Sequence, residues 1–171
     1  MQVITILTIV FLCIIIYQDF LDRRISIFFL ILIFAASLYL SSFNIHIADL
    51  IYRVIFNSIL SIIILLSGTH IVKLTKSGLA RSEIIGSGDF LFLISISPLF
   101  SFVTFLVFLN FSFLTIFISL LFIRTTFKKK INTIPLAGGL ALILSAFLIM
   151  NTIFQFNLSE QLNRFLFFPY E

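Results

Sequence analysis

Charge is what this sequence has least of: 11% of its 171 residues are Asp, Glu, Lys or Arg, against 61% hydrophobic residues, and the mean hydropathy is +1.24. That shortage excludes a soluble fold, because a soluble domain of this length cannot bury so much apolar surface. A hydrocarbon core needs about 20 apolar residues per helix, so six crossings take roughly 120 residues and leave only short loops. The expectation is therefore an all-α, polytopic membrane protein, one domain over residues 1–171 with about six transmembrane helices and the lipid bilayer as its surroundings. Cysteine is nearly absent as well. Cys13 stands alone inside an apolar run, which excludes an intrachain disulfide and a cysteine-based zinc site, and no metal or cofactor is expected. The net charge of +4 does not point to nucleic acid, since the basic residues fall in short loops where membrane topology accounts for them.

Residues 2–17 lack the basic flank and small-residue cleavage site of a secretory signal, so they read as a retained first span. Gln18 to Ser26 forms the only dense charge cluster of the first half, a second span covers about 27–43, and a third about 51–72. No charged residue occurs from Phe90 to Ile123. At 1.5 Å per residue one helix of that length would reach roughly 50 Å, so the run must turn back. The turn is expected near Ser101 to Thr104, after Pro98, with Asn110 as the other choice. A sixth span covers about 134–155, and the tail from Gln155 to Glu171 mixes apolar and polar residues in the manner of a surface-lying segment.

The loops at 18–26, 73–88 and 124–132 hold nine of the eleven basic residues, among them Arg23, Arg24, Lys73, Lys76, Arg81, Arg124 and Lys128 to Lys130. Six spans put all three loops on one side, which the positive-inside rule makes cytoplasmic. Asp19 and Asp89 then share that face. An ionised carboxylate at the head of a membrane helix costs about 2.5 kcal/mol or more toward the bilayer centre, so it calls for a partner or a use.

Asp89 lies in Gly86-Ser87-Gly88-Asp89, where the glycines allow the backbone to leave helical geometry and approach another chain. Taken singly, Asp89 reads equally well as an N-cap of the fourth span, and Asp19 and Asp22 as neutralisers of Arg23 and Arg24. Taken as a pair, two carboxylates that share a proton can divide the labour of an aspartyl protease, one as base on water and the other as acid on a carbonyl oxygen. Asp19 and Asp22 are three residues apart, and spacing along a helix does not choose between them. No Gly-x-Ser-x-Gly nucleophile elbow is present. His70 reads as an interfacial residue at a helix end and His46 as a solvated loop residue.

With these motifs the chain resembles the type IV prepilin peptidases, polytopic aspartyl proteases of the Gly-x-Gly-Asp kind. Gly86-Ser87-Gly88-Asp89 matches their second catalytic motif. Asp19 precedes Ile25-Ser26-Ile27 at the spacing of the first, and Ile134-Pro135-Leu136-Ala137-Gly138-Gly139 is similar to the Pro-containing start of their last span. The resemblance implies Asp19 and Asp89 as the catalytic pair, with Gly86, Gly88 and Pro135 as supporting residues. It also implies an aspartic endopeptidase in the plasma membrane that removes the leader of prepilin or pseudopilin precursors at the cytoplasmic face, in the service of pilus assembly or secretion. The soluble N-terminal region of long members is missing, so peptidase chemistry without methylation is implied. Ser26 and Ile27 stand where the family has Pro-Asn, and Leu91 where it has a Lys expected beside the carboxylate. Two readings compete: an inactive relative acting as a membrane scaffold, and a small transporter with Asp89 as its proton or cation site.

Overall fold

A computed structural model of the protein describes residues 2–43, 45–75, 86–127 and 136–154. They form α1 (Gln2–Leu21), α2 (Ile27–Ser42), α3 (Ile47–Thr75), α4 (Ser87–Ile96), a single 3-10 turn (Ser97–Leu99), α5 (Phe102–Phe127) and α6 (Leu136–Phe154), and no strand occurs among the described residues. Helix is what such apolar sequence must adopt in lipid, where each backbone N–H and C=O has to be satisfied within its own segment. Four of the helices, α1, α3, α5 and α6, are long and apolar enough to cross a membrane. The architecture is all-α and that of a polytopic membrane protein.

α2 and α4 are shorter. At 16 and 10 residues they extend about 24 and 15 Å, less than a hydrocarbon core of ~30 Å. α4 stops early because Pro98 disfavours helical geometry at the residue before it and has no N–H to give. The chain tightens into the 3-10 turn and becomes extended at Phe100 (φ −118°, ψ 142°). The expected turn is thus found, a few residues ahead of its predicted place. Ser101 to Thr104 instead opens α5: Ser101 Oγ pairs with Thr104 Oγ1 at 2.8 Å, and the Phe105 N–H donates to Ser101 O at 2.8 Å. Asn110 is no break; it sits within α5 and its Nδ2 donates to Leu106 O.

Breaking a helix inside a packed bundle frees buried carbonyls that require donors, and buried polar side chains of two other helices supply them. Ser37 and Ser41 of α2 donate to Ser95 O (2.9 Å) and Pro98 O (2.7 Å). Asn57 of α3 donates through Nδ2 to Ser97 O (2.9 Å) and Phe100 O (3.0 Å). Ser41→Ala is expected to lower stability in detergent by about 1 kcal/mol, the net worth of one such bond, with thermal denaturation as the measurement. Ser37→Ala is expected to cost less, because its one hydroxyl proton is shared between Ser95 O and Ile33 O.

These bonds also set the directions of the helices. The C-terminal halves of α2 and α4 meet, so the two run parallel, while the N-terminal half of α3 meets the end of α4, so those two run opposite. α1 packs most extensively on α6, and α4 lies among α2, α3 and α6. Small residues Ala137, Gly138 and Ala141 let α1 and α6 approach closely, with Leu12, Ile15, Leu140 and Leu144 buried in the core. The alternation brings the end of α1, the start of α4 and the start of α6 to one end of the bundle. His46 is exposed just before α3, and Cys13 is exposed on α1. Lys76, Arg81, Lys128 to Lys130, Pro135 and the tail 155–171 lie outside the described residues, as do the side chains of His70, Lys73 and Arg124.

Candidate active site

α1 does not end at residue 17, where the apolar run stops, but continues to Leu21 and carries Asp19 on its inner face, 6% exposed. Asp22 follows the helix end and is exposed. Burial makes the choice that spacing left open, in favour of Asp19. Arg23 then adopts a left-handed conformation (φ 52°), an uncommon state for a side chain with a Cβ that lets a chain leave a helix sharply. The Ser26 N–H donates to Gln18 Oε1 at 3.1 Å and closes the turn into α2. A proline at position 26 could not make that bond, so the turn is fastened here by a hydrogen bond.

Asp89 occupies the first turn of α4. Gly86, extended at φ −70° and ψ 144°, is the N-cap residue, and its N–H donates to Asp89 Oδ2 at 3.1 Å. Asp89 is therefore not the N-cap itself but the residue three further on whose carboxylate reaches back, half of a capping box. Gly88 is helical, so the expected loosening of the backbone is confined to Gly86. Gly88 serves packing instead: a Cβ there would lie 3.1 Å from Ile25 Cδ1. Leu91, 36% exposed, lies two residues beyond Asp89, and such positions point to different sides of a helix. A lysine at 91 would thus start from a different face of the helix than the carboxylate.

The two carboxylates meet at the first turn of α6. The Ala137 N–H donates to Asp89 Oδ1 at 2.9 Å, and the next amide, Gly138 N–H, donates to Asp19 Oδ2 at 2.5 Å. Successive peptide nitrogens are three covalent bonds apart, so the bonded oxygens lie within about 10 Å at the very most. The charge of Asp19 acts directly on Asp89, and Arg23 lies within electrostatic reach of Asp19. A helix N-terminus presents unpaired N–H groups and a positive dipole end, which suits anionic groups. It explains how two acids can be held together in an apolar bundle.

The pair is joined by an element to which the sequence assigned no catalytic part: the amides of Ala137 and Gly138. Backbone N–H groups leave no trace in residue identity, and the only cue is glycine at the opening of the last apolar run. Among the described residues no cluster of three or more potential metal ligands occurs. The arrangement can hold a proton between two carboxylates and present both to one carbonyl group. Comparison with protein-family models, with curated proteins and with solved structures finds no match.

Proposed function

We propose that the protein is a membrane aspartyl endopeptidase that removes leader peptides from prepilin or pseudopilin-like precursors at the cytoplasmic face of the plasma membrane. The observation that carries the reading is the seating of Asp19 and Asp89 on consecutive amides of α6. One carboxylate takes a proton from water as its oxygen attacks the scissile carbonyl carbon. The other gives its proton to the carbonyl oxygen. In the collapse of the tetrahedral intermediate the acid that took the proton from water gives it to the leaving nitrogen as the C–N bond breaks, while the other takes a proton from a hydroxyl of the intermediate, which restores the pair. The N-terminal segment of a precursor, lying in the bilayer with its leader at the surface, would bring its cleavage site to the bundle end where the acids sit.

A transporter would need a polar route from this end of the bundle to the other. The buried polar side chains Ser37, Ser41 and Asn57 gather at the break after α4, and fully buried Leu12, Ile15, Ile33, Phe92, Leu93 and Ile96 contribute an apolar core to the bundle. The peptidase reading is tested by co-expressing the protein with each prepilin-like precursor of the same genome and measuring precursor mass. The expected result is loss of the leader from at least one of them. Intact leaders throughout would overturn the reading and favour a scaffold.

A further inference from the structure

We infer that Gly138 is a positioning residue of the aspartate pair: the lack of a side chain at the first turn of α6 is what allows Asp19 to reach an amide there. Its consequence for cleavage rests on the peptidase reading; the geometry does not. A Cβ at position 138 would stand 3.0 Å from Asp19 Oδ2, the atom that accepts the Gly138 N–H, and 3.0 and 3.1 Å from Cδ2 and Cε2 of Phe20. Contacts that short force a neighbour to give way. Here one neighbour is the buried carboxylate itself, 6% exposed. A side chain at 138 requires Asp19 Oδ2 and the Phe20 ring to give by a few tenths of an ångström, and any shift of Asp19 moves it relative to its donor and to Asp89.

Gly139, next in sequence, supplies the comparison. A Cβ there would lie 2.8 Å from Ile116 Cδ1 and 2.9 Å from Ile116 Cγ1. That approach is closer, yet it concerns the far end of a flexible apolar side chain on α5 and no carboxylate. The two glycines serve different ends: Gly139 admits a hydrophobic side chain, and Gly138 admits an acid to a backbone donor. The groups that set the protonation of the pair are few. Among the described residues they are Asp19 and Arg23 at the end of α1, Asp89 on α4, and the amides of Gly86, Ala137 and Gly138. The first turn of α6, Leu136-Ala137-Gly138-Gly139, adds no charged side chain.

The chain has only six glycines, so the full protein labelled with [15N]glycine in detergent gives a spectrum simple enough to titrate. The Gly138 and Gly86 amides each donate to one acid of the pair and report on it directly. Both signals are expected to move with pH through the shared titration steps of a coupled pair, while Gly139 does not follow them. In Asp19→Asn the Gly138 response should shrink to the single step left by Asp89 on the neighbouring Ala137 amide, and Gly86 should titrate in that one step. A Gly138 signal indifferent to pH, or one responding alike in wild type and Asp19→Asn, overturns the inference. This measurement needs neither cleavage nor a folded Gly138 variant.

Where cleavage is measurable, Gly138→Ala should cut kcat at least tenfold and displace the pH profile. Gly139→Ala should lower thermal stability and leave the profile in place. Equal displacement by both variants overturns the assignment. Glycine signals that behave as stated in a protein that cleaves no precursor would leave Gly138 as the seat of Asp19 and remove the peptidase reading alone.

Discussion

Asp19→Asn and Asp89→Asn are each expected to reduce leader removal by a factor of about 10² to 10⁴, the usual contribution of a positioned acid or base, while both proteins still insert in the membrane. Asparagine keeps the shape of the side chain but neither accepts a proton from water nor carries one to a carbonyl oxygen. The double variant should be no worse than the weaker single one, since the two acids act as a unit. Leader removal read by precursor mass provides the measurement. Undiminished cleavage by either variant removes that residue from the mechanism.

The two substitutions should differ in stability. Asp19 accepts its amide bond on one oxygen, Oδ2, and an asparagine carbonyl can take that place. Asp89 uses both oxygens, Oδ1 for Ala137 and Oδ2 for Gly86. Asparagine has a single acceptor, so one of these N–H groups would face another donor, at a cost of about 1–3 kcal/mol for a polar group left unpaired. Asp89→Asn should melt measurably below Asp19→Asn in the same detergent. Equal melting would mean that the bridge from α4 to α6 contributes nothing to the bundle.

Asn57→Leu is expected to produce a clear loss of stability. The side chain is fully buried and its Nδ2 donates to both Ser97 O and Phe100 O, the carbonyls freed where α4 gives way to α5. Leucine fills much the same space but leaves both without a donor, at about 1–3 kcal/mol for each group, while removing the Asn57 Oδ1, which is buried with no hydrogen-bond partner and returns about as much as one of them; the net loss is roughly 1–3 kcal/mol. Asn57, Ser97 and Phe100 are all buried, so water cannot make up the deficit. Asn57→Asp separates donation from size: it is isosteric but has no N–H, and buried against two carbonyls it is held as the neutral acid, whose one O–H can serve only one of them. It should melt between wild type and the leucine variant. Thermal denaturation and proteolysis within the α4–α5 connection would record the loss, and a wild-type melting profile for Asn57→Asp would show that these bonds do not hold the break.

The candidate site was partly legible. Asp89 and Asp19 stood out because an acid at the edge of a long apolar run is costly and needs a reason, and the charge-free length from Phe90 to Ile123 required a turn whatever its details. What could not be read was how each group is satisfied. Nothing in the local sequence sets Asn57 apart, and only the meeting of α3 with the end of α4 shows what it donates to. In the sequence Gly138 is one of two adjacent glycines at the start of the last apolar run, and its contact with Asp19 exists only in the tertiary structure. Asp89 was legible as a helix-capping residue, and it is one through Oδ2; its second oxygen, turned to Ala137, has no counterpart in local sequence.

By itself the sequence determined the class of structure. Apolar runs of this length with so little charge have one way of satisfying their backbone in lipid, which is helix. Which of two nearby acids is buried, where the long run breaks and what draws Asp19 and Asp89 together were decided only by the tertiary structure. Those outcomes depend on hydrogen bonds between groups far apart in the chain, many of them backbone N–H and C=O groups common to nearly every residue, and spacing along the sequence carries no record of them.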